Sequence, residues 1–243
     1  PFLNRTKTVY LGTIYGQGGF NWMVHHDVEK AQGLSNVVTF AIGSIPWICR
    51  TKKYGSRVAN YGGKDVNLVA VSPKSKFDDL NNLVLQHISY KPLGKGKFRL
   101  VDNFLSLTLS VDNQIIHPAR CYGLWLGSNR TGKWPNPYKV PYFYRDFDER
   151  SADILTRLDN DYTLIRNALR DKFPQKDFQY MLSYLELERL NHKSTNVDVL
   201  KSLKGSQQLS KIQTPTVAGS DGTSRRLATD HRLQPASTSQ SPP

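Results

Sequence analysis

The sequence predicts an α+β protein: a β-rich basic N-terminal domain over residues 1–148, a helical segment over 149–205 and a disordered polar tail over 206–243. Charge is the first observation. The chain carries a net charge of +13, with 19 Lys/Arg against 9 Asp/Glu in residues 1–148, so ten of the thirteen excess charges sit there. Hydrophobic periodicity is the second. It alternates in short runs before residue 148 and recurs at helical spacing after it. Tail composition is the third: 23 of the 38 residues after 205 are Ser, Thr, Pro, Gly or Gln, with no aromatic. Such a segment buries too little apolar area to offset its chain entropy.

The elements follow in order. Residues 8–15 alternate and suit a strand, which the glycines at 16–19 end. Residues 20–24 and 37–42 read as further strands. After Cys49 comes a basic run with Tyr54 and Gly55 inside it, then a turn at 61–65 and a strand at 66–71. Ser75 or Asp78 caps an amphipathic helix whose face is Leu80, Leu83, Val84 and Ile88. The apolar run 101–111 and residues 121–126 read as strands, and 127–141 as a Gly/Pro/Asn-rich loop. From Ser151, apolar residues at 154, 155, 158, 162, 165 and 169 form one helical face. Pro174 precedes a second helix carrying Phe178 and Met181, and Asn196 caps a short third piece.

Catalytic chemistry finds little support. The string 127–133 matches GxxxxGK, but Trp134 replaces the Mg²⁺-binding Ser/Thr, and Pro135 and Pro137 oppose the helix that a phosphate loop needs. Gly16-x-Gly18 lacks its third glycine, because Asn21 occupies that position. His25, His26 and Asp27 are too few for a metal site. The histidines at 87, 117, 192 and 231 form no spaced set with them or with Cys49 and Cys121. No catalytic residue, metal or cofactor is assigned. Both cysteines sit among apolar neighbours and read as core thiols. The opening residues are no signal peptide, and no apolar run is long enough to span a membrane.

The basic clusters point to a polyanion. Arg50, Lys52, Lys53 and Arg57 flank Tyr54. Lys91, Lys95, Lys97 and Arg99 lie near Tyr90 and Phe98. Arg130 and Lys133 precede Trp134. Cations pair with phosphates, while aromatic rings stack on bases or enter a membrane interface.

Two strings resemble the matrix proteins of vesiculoviruses, a rhabdovirus group. One is Gly94-Lys95-x-x-Phe98 followed by Val101 and Phe104-Leu105. The other is Cys121-x-Gly123, Arg130-x-Gly132-Lys133-x-Pro135 and Val140-Pro141, ending near Tyr144-Arg145. The chain departs from that family in lacking PPxY and in reading as helical after the loop. The resemblance implies a non-enzymatic viral structural protein that binds anionic membrane and ribonucleoprotein and self-associates. Its place would be the virion and the host cytoplasm, peripheral at the membrane. The alternative is a viral movement or capsid protein binding single-stranded nucleic acid.

Overall fold

The computed structural model describes residues 7–14, 23, 25–27, 30, 31, 33, 35–206, 208–214, 216–218 and 225–227. The expected turn at 16–19, most of the expected strand at 20–24 and most of the tail lie outside them.

A four-stranded mixed sheet forms the first part. Its strands are β1 (Val9–Ile14), β2 (Val37–Ile42), β5 (Val66–Ser72) and β6 (Lys97–Leu100), in the order β1-β2-β5-β6. The β1/β2 and β5/β6 pairs are parallel, and β2/β5 is antiparallel. Between β2 and β5 the chain makes a separate hairpin, β3 (Trp47–Lys53) and β4 (Arg57–Gly63). The inner strands β2 and β5 read as near-continuous apolar runs because both their faces are covered. On one face Val38, Ile42, Val69 and Val71 pack against Leu80 and Leu85. On the other, Ala41, Leu68 and Ala70 meet Phe104, Leu107 and Leu187 from the helices that follow.

Helix α1 (77–88) covers the first face and departs from its expected register. Leu80 is fully buried, but Leu83 is 67% exposed, and Leu85 is buried in its place. The cause is a wide turn over Asn81–Leu85, where Gln86 N–H donates to the Asn81 carbonyl five residues back. An extra residue in one turn rotates the apolar face. A short helix α2 (Tyr90–Leu93) leads into β6.

The expected β-rich region to residue 148 is corrected here. The runs at 101–111 and 121–126 are helical, in α3 (Phe104–Thr108) and α4 (Asn113–Gly127). Their caps explain this. The Asn103 side chain accepts from Ser106 N–H, and the Asp112 carboxylate accepts from Asn113 N–H. Ile115, Ile116, Ala119 and Leu124 are buried at spacings that fit one helix face. After the short strand β7 (Lys133–Trp134), helix α5 (Glu149–Lys172) begins at an Asp148 cap, as its apolar period requires. The next helix, α6 (Tyr184–His192), starts later than expected, at a Ser183/Glu186 capping box. Phe178 and Met181 are buried in the irregular segment before it. Asp198, not Asn196, caps α7 (Val199–Lys204).

The largest core joins elements from both parts of the chain. Val111, Ile115 and Ile116 meet Phe147, Leu155, Tyr184, Leu203 and Ile212. Ile212 belongs to the expected disordered tail, yet it is 4% exposed, and Leu209 packs beside it. Strands β8 (Thr216–Ala218) and β9 (Arg225–Leu227) then form a small sheet with β7. The core-thiol expectation also fails: Cys121 is exposed and Cys49 half-buried, both as free thiols.

Two buried arginines fasten the helices. Arg120 donates to the carbonyls of Tyr142 (2.9 Å) and Asp146 (2.7 Å) and pairs with Asp148 at 3.2 Å, which fixes the loop entering α5. Arg166 donates to the carbonyls of Leu109 (3.0 Å) and Leu182 (3.2 Å) and pairs with Asp159 at 2.8 Å. At the α4/α5 crossing, a Cβ on Gly123 would lie 2.0 Å from Ser151 Oγ, so only glycine permits this approach.

Candidate active site

A cavity of about 210 Å³ opens where the sheet meets the helices. Ser44 and Ile45 enter it from just beyond the carboxyl end of β2, the usual end for ligands on open sheets. Hairpin β3/β4 supplies Trp47, Ile48 and Arg50. Lys64 comes from the β4–β5 turn. Asp112, Asn113, Ile116 and His117 come from the start of α4, and Glu188 and His192 from α6.

A fixed ion pair anchors one wall. Lys64 Nζ lies 3.1 Å from Asp112 Oδ2, and Ser44 Oγ donates to the same oxygen at 2.6 Å. Asn191, with its amide oriented to match its neighbours, accepts from Lys64 Nζ at 3.2 Å and donates to the Val66 carbonyl at 3.0 Å. Burial alone pushes the Asp112 carboxyl up, but Lys64, Ser44 and Asn113 more than reverse this and hold it below its ordinary range. The carboxylate is therefore locked as an anion.

Glu188 behaves differently. Burial raises its carboxyl to about 7, against the pull of Lys64 and with the help of Asp112. His192 is driven down to about 4 by burial and by Lys64 and Lys95, so it is neutral near pH 7. Burial and the nearby Glu188 push the Tyr184 phenol well above its ordinary value. His117 Nε2 lies 3.3 Å from the Tyr144 hydroxyl, and its ring meets Phe143 edge-on at 5.3 Å between centroids. A cavity with apolar walls, a hydrogen-bonded imidazole and a cation at its rim suits a small carboxylate on which protons move.

The predicted polyanion-binding residues and their aromatic neighbours take several places in the fold. Arg50 lines the cavity and donates to the Cys49 carbonyl at 2.8 Å. Lys52, Lys53 and Arg57 are exposed around the hairpin turn, with Tyr54 87% exposed at its tip. Lys91 reaches the His87 ring at 3.2 Å. Lys95 approaches Asp65 at 4.0 Å. Lys97 sits over the Tyr90 ring, and Phe98 packs into the core under β6. Arg99 donates to the Tyr180 hydroxyl at 2.9 Å. Arg130 stacks towards Trp125, while Lys133 and Trp134 pair with β9. The GxxxxGK string spans the end of α4 and a turn with positive φ at Asn129 and Arg130, followed by a strand and not a helix.

Sequence reasoning missed Lys64, Asp112, His117, Tyr144 and Glu188. Two local signals were present. An Asp112 cap places His117 on the second turn of α4, and Glu188 and His192 are four residues apart on one face of α6.

A sheet packed against helices, with a cavity at their junction that mixes apolar walls and charged side chains, is the arrangement of a small-molecule site. The chain belongs to the family described as NAD/NADP octopine/nopaline dehydrogenase, alpha-helical domain, whose model matches residues 100–233. Octopine dehydrogenase of Pecten maximus is 29% identical over 181 residues, which is 69% of this chain and 41% of that protein. Octopine dehydrogenase solved with NADH and L-arginine superposes with a TM-score of 0.65 at 22% identity, over 91% of this chain and 53% of that one. The same enzyme solved with NADH and pyruvate gives 0.58 at 24% identity, over 79% and 44%. The chain spans under half the length of the relatives it matches.

These findings overturn the matrix-protein resemblance and what it implied. The second of the two strings that carried it, from Cys121 to Arg145, falls in the helical-domain match. The non-enzymatic structural role, the movement or capsid alternative, the membrane and nucleoprotein partners and the virion location go with it, since the matched family and the named relatives are dehydrogenases. Among the described residues no helix is long and apolar enough to cross a membrane.

Proposed function

We propose that this chain forms the substrate half of an NAD(P)-dependent opine dehydrogenase, which condenses a 2-oxo acid such as pyruvate with the amino group of an amino acid and reduces the imine. The observation that carries this reading is the placing of His117 and Arg50 in one cavity, at the edge of a segment that matches the family. Arg50 offers a cation to a substrate carboxylate. His117 gives and takes protons as the carbonyl oxygen leaves as water and the nitrogen changes charge. Trp47, Ile48, Ile116 and Ile212 supply apolar walls that strengthen both interactions by excluding water.

The dinucleotide would supply the hydride. Its fit to this chain is partial: among the described residues the turn after β2 carries a single glycine, Gly43, and leads into β3 and not into a helix. No residue here is assigned to the cofactor.

Kinetics of the full-length protein test the reading. His117→Asn is expected to lower kcat by about 10²–10⁴-fold with little change in KM, as for loss of a positioned acid–base group. Arg50→Gln is expected to raise KM for the 2-oxo acid. A His117→Asn enzyme with unchanged kcat would overturn the assignment.

A further inference from the structure

A second cavity, of about 300 Å³, adjoins the first. It is lined by Asp65, Lys95, Ser194, Asn196, Ser206 and Gln208, and is therefore polar where the first is largely apolar. Glu188 and His192 line both cavities. One helix, α6, thus forms the partition, and a carboxyl group stands in it.

From this geometry we infer that Glu188 relays protons between the polar cavity and the His117 cavity, feeding the reaction from the polar side while substrates fill the other. The inference rests on the dehydrogenase reading. In that reaction a 2-oxo acid, an amino acid, NADH and one proton give the secondary amine, NAD⁺ and water. One proton must therefore enter per turnover. The relay step is balanced: the Glu188 carboxyl releases its proton into the His117 cavity, restoring the proton His117 gave to the leaving oxygen, and the carboxylate takes another from the polar side.

The surroundings suit a group that changes charge. Glu188 is 9% exposed, and among the described residues no lysine or arginine lies within ion-pair distance of it. Facing it are Lys64 and Asp112, Tyr184 and His192 on its own helix, and Ser202 on α7. Asp65 and Lys95 stand beyond, in the polar cavity, and Arg50 and His117 in the other. Lys64 and Asp112 are held together as an ion pair, and Glu188, raised to about 7, stands near its midpoint at neutral pH. The Tyr184 and Ser202 hydroxyls are buried beside it without a hydrogen-bond partner among the described residues. Ser202 approaches both Glu188 and Tyr184 but bonds to neither in the structure, so its O–H can turn with the protonation of the carboxyl.

The test compares wild type with Glu188→Gln in the full-length enzyme, measuring kcat and KM across pH, with and without added formate as a small proton carrier. The expected result is a kcat lowered about tenfold or more with KM little changed, loss of the limb of the kcat profile near pH 7, and partial rescue by formate. An unchanged profile with no rescue in an active Glu188→Gln enzyme would overturn the relay and leave the dehydrogenase reading standing. A wild type that turns over no 2-oxo acid and amino acid would overturn that reading and the relay with it. Thermal unfolding of the variant separates a folding defect from a relay defect, and Glu188→Asp, which keeps a carboxyl, is expected to retain the limb.

Discussion

Lys64 Nζ lies 3.1 Å from Asp112 Oδ2, with both side chains only 9% exposed. This pair joins the turn that leads into β5 to the residue that caps α4. It therefore ties the sheet to the helical domain beside the cavity. It also accounts for the charge pattern there, because it locks one acid as an anion and leaves Glu188 free to titrate.

Breaking the pair strands a buried charge. Lys64→Met is expected to destabilise the fold by about 3–5 kcal/mol, with Lys64→Met/Asp112→Leu recovering most of the loss. Urea unfolding of both variants checks this. A Lys64→Met protein as stable as wild type would remove the pair's anchoring role.

Stability against pH carries a second signature. Glu188 is raised from 4.5 to about 7, so its contribution is fully present below pH 4.5 and lost as pH rises through 7. His192 is lowered from 6.5 to about 4, so its contribution is present above pH 6.5 and lost as pH falls through 4. Each effect is on the order of 3 kcal/mol, and they oppose each other across nearly the same window. The wild type should therefore be nearly flat there. Glu188→Gln should lose stability on acidification, and His192→Gln should lose it as pH rises. Thermal unfolding across pH reads all three, and parallel curves would refute the assignment.

The α4/α5 crossing allows a packing test. Gly123→Ala places a methyl where Ser151 Oγ now lies and is expected to cost about 1–3 kcal/mol. Ser151→Gly in the same protein should return part of that cost, since the two sites share one space. Additive losses in chemical denaturation would show that the contact is not the cause.

The fold class expected from the sequence does not hold, but single elements can be read where one local rule acts alone. Strands β2 and β5 and helix α5 fall where their apolar patterns place them. The reading failed where tertiary context decided. Residues 104–127 contain strand-forming types, but caps at Asn103 and Asp112 and burial against α5 make them helical. Residues 208–214 look like tail, yet Ile212 completes the main core. The site was hidden for a related reason. Lys64, Asp112, His117 and Glu188 are isolated in the chain and meet only through the fold, whereas the lysine clusters are contiguous in sequence.

The most direct test of the central claim is NADH oxidation by the full-length protein with pyruvate alone, with a panel of amino acids alone, and with both together, followed by mass analysis of the product. The account predicts oxidation that requires both partners and yields a new secondary amine joining them. Oxidation with pyruvate alone at the same rate, or none with any pair, would contradict it.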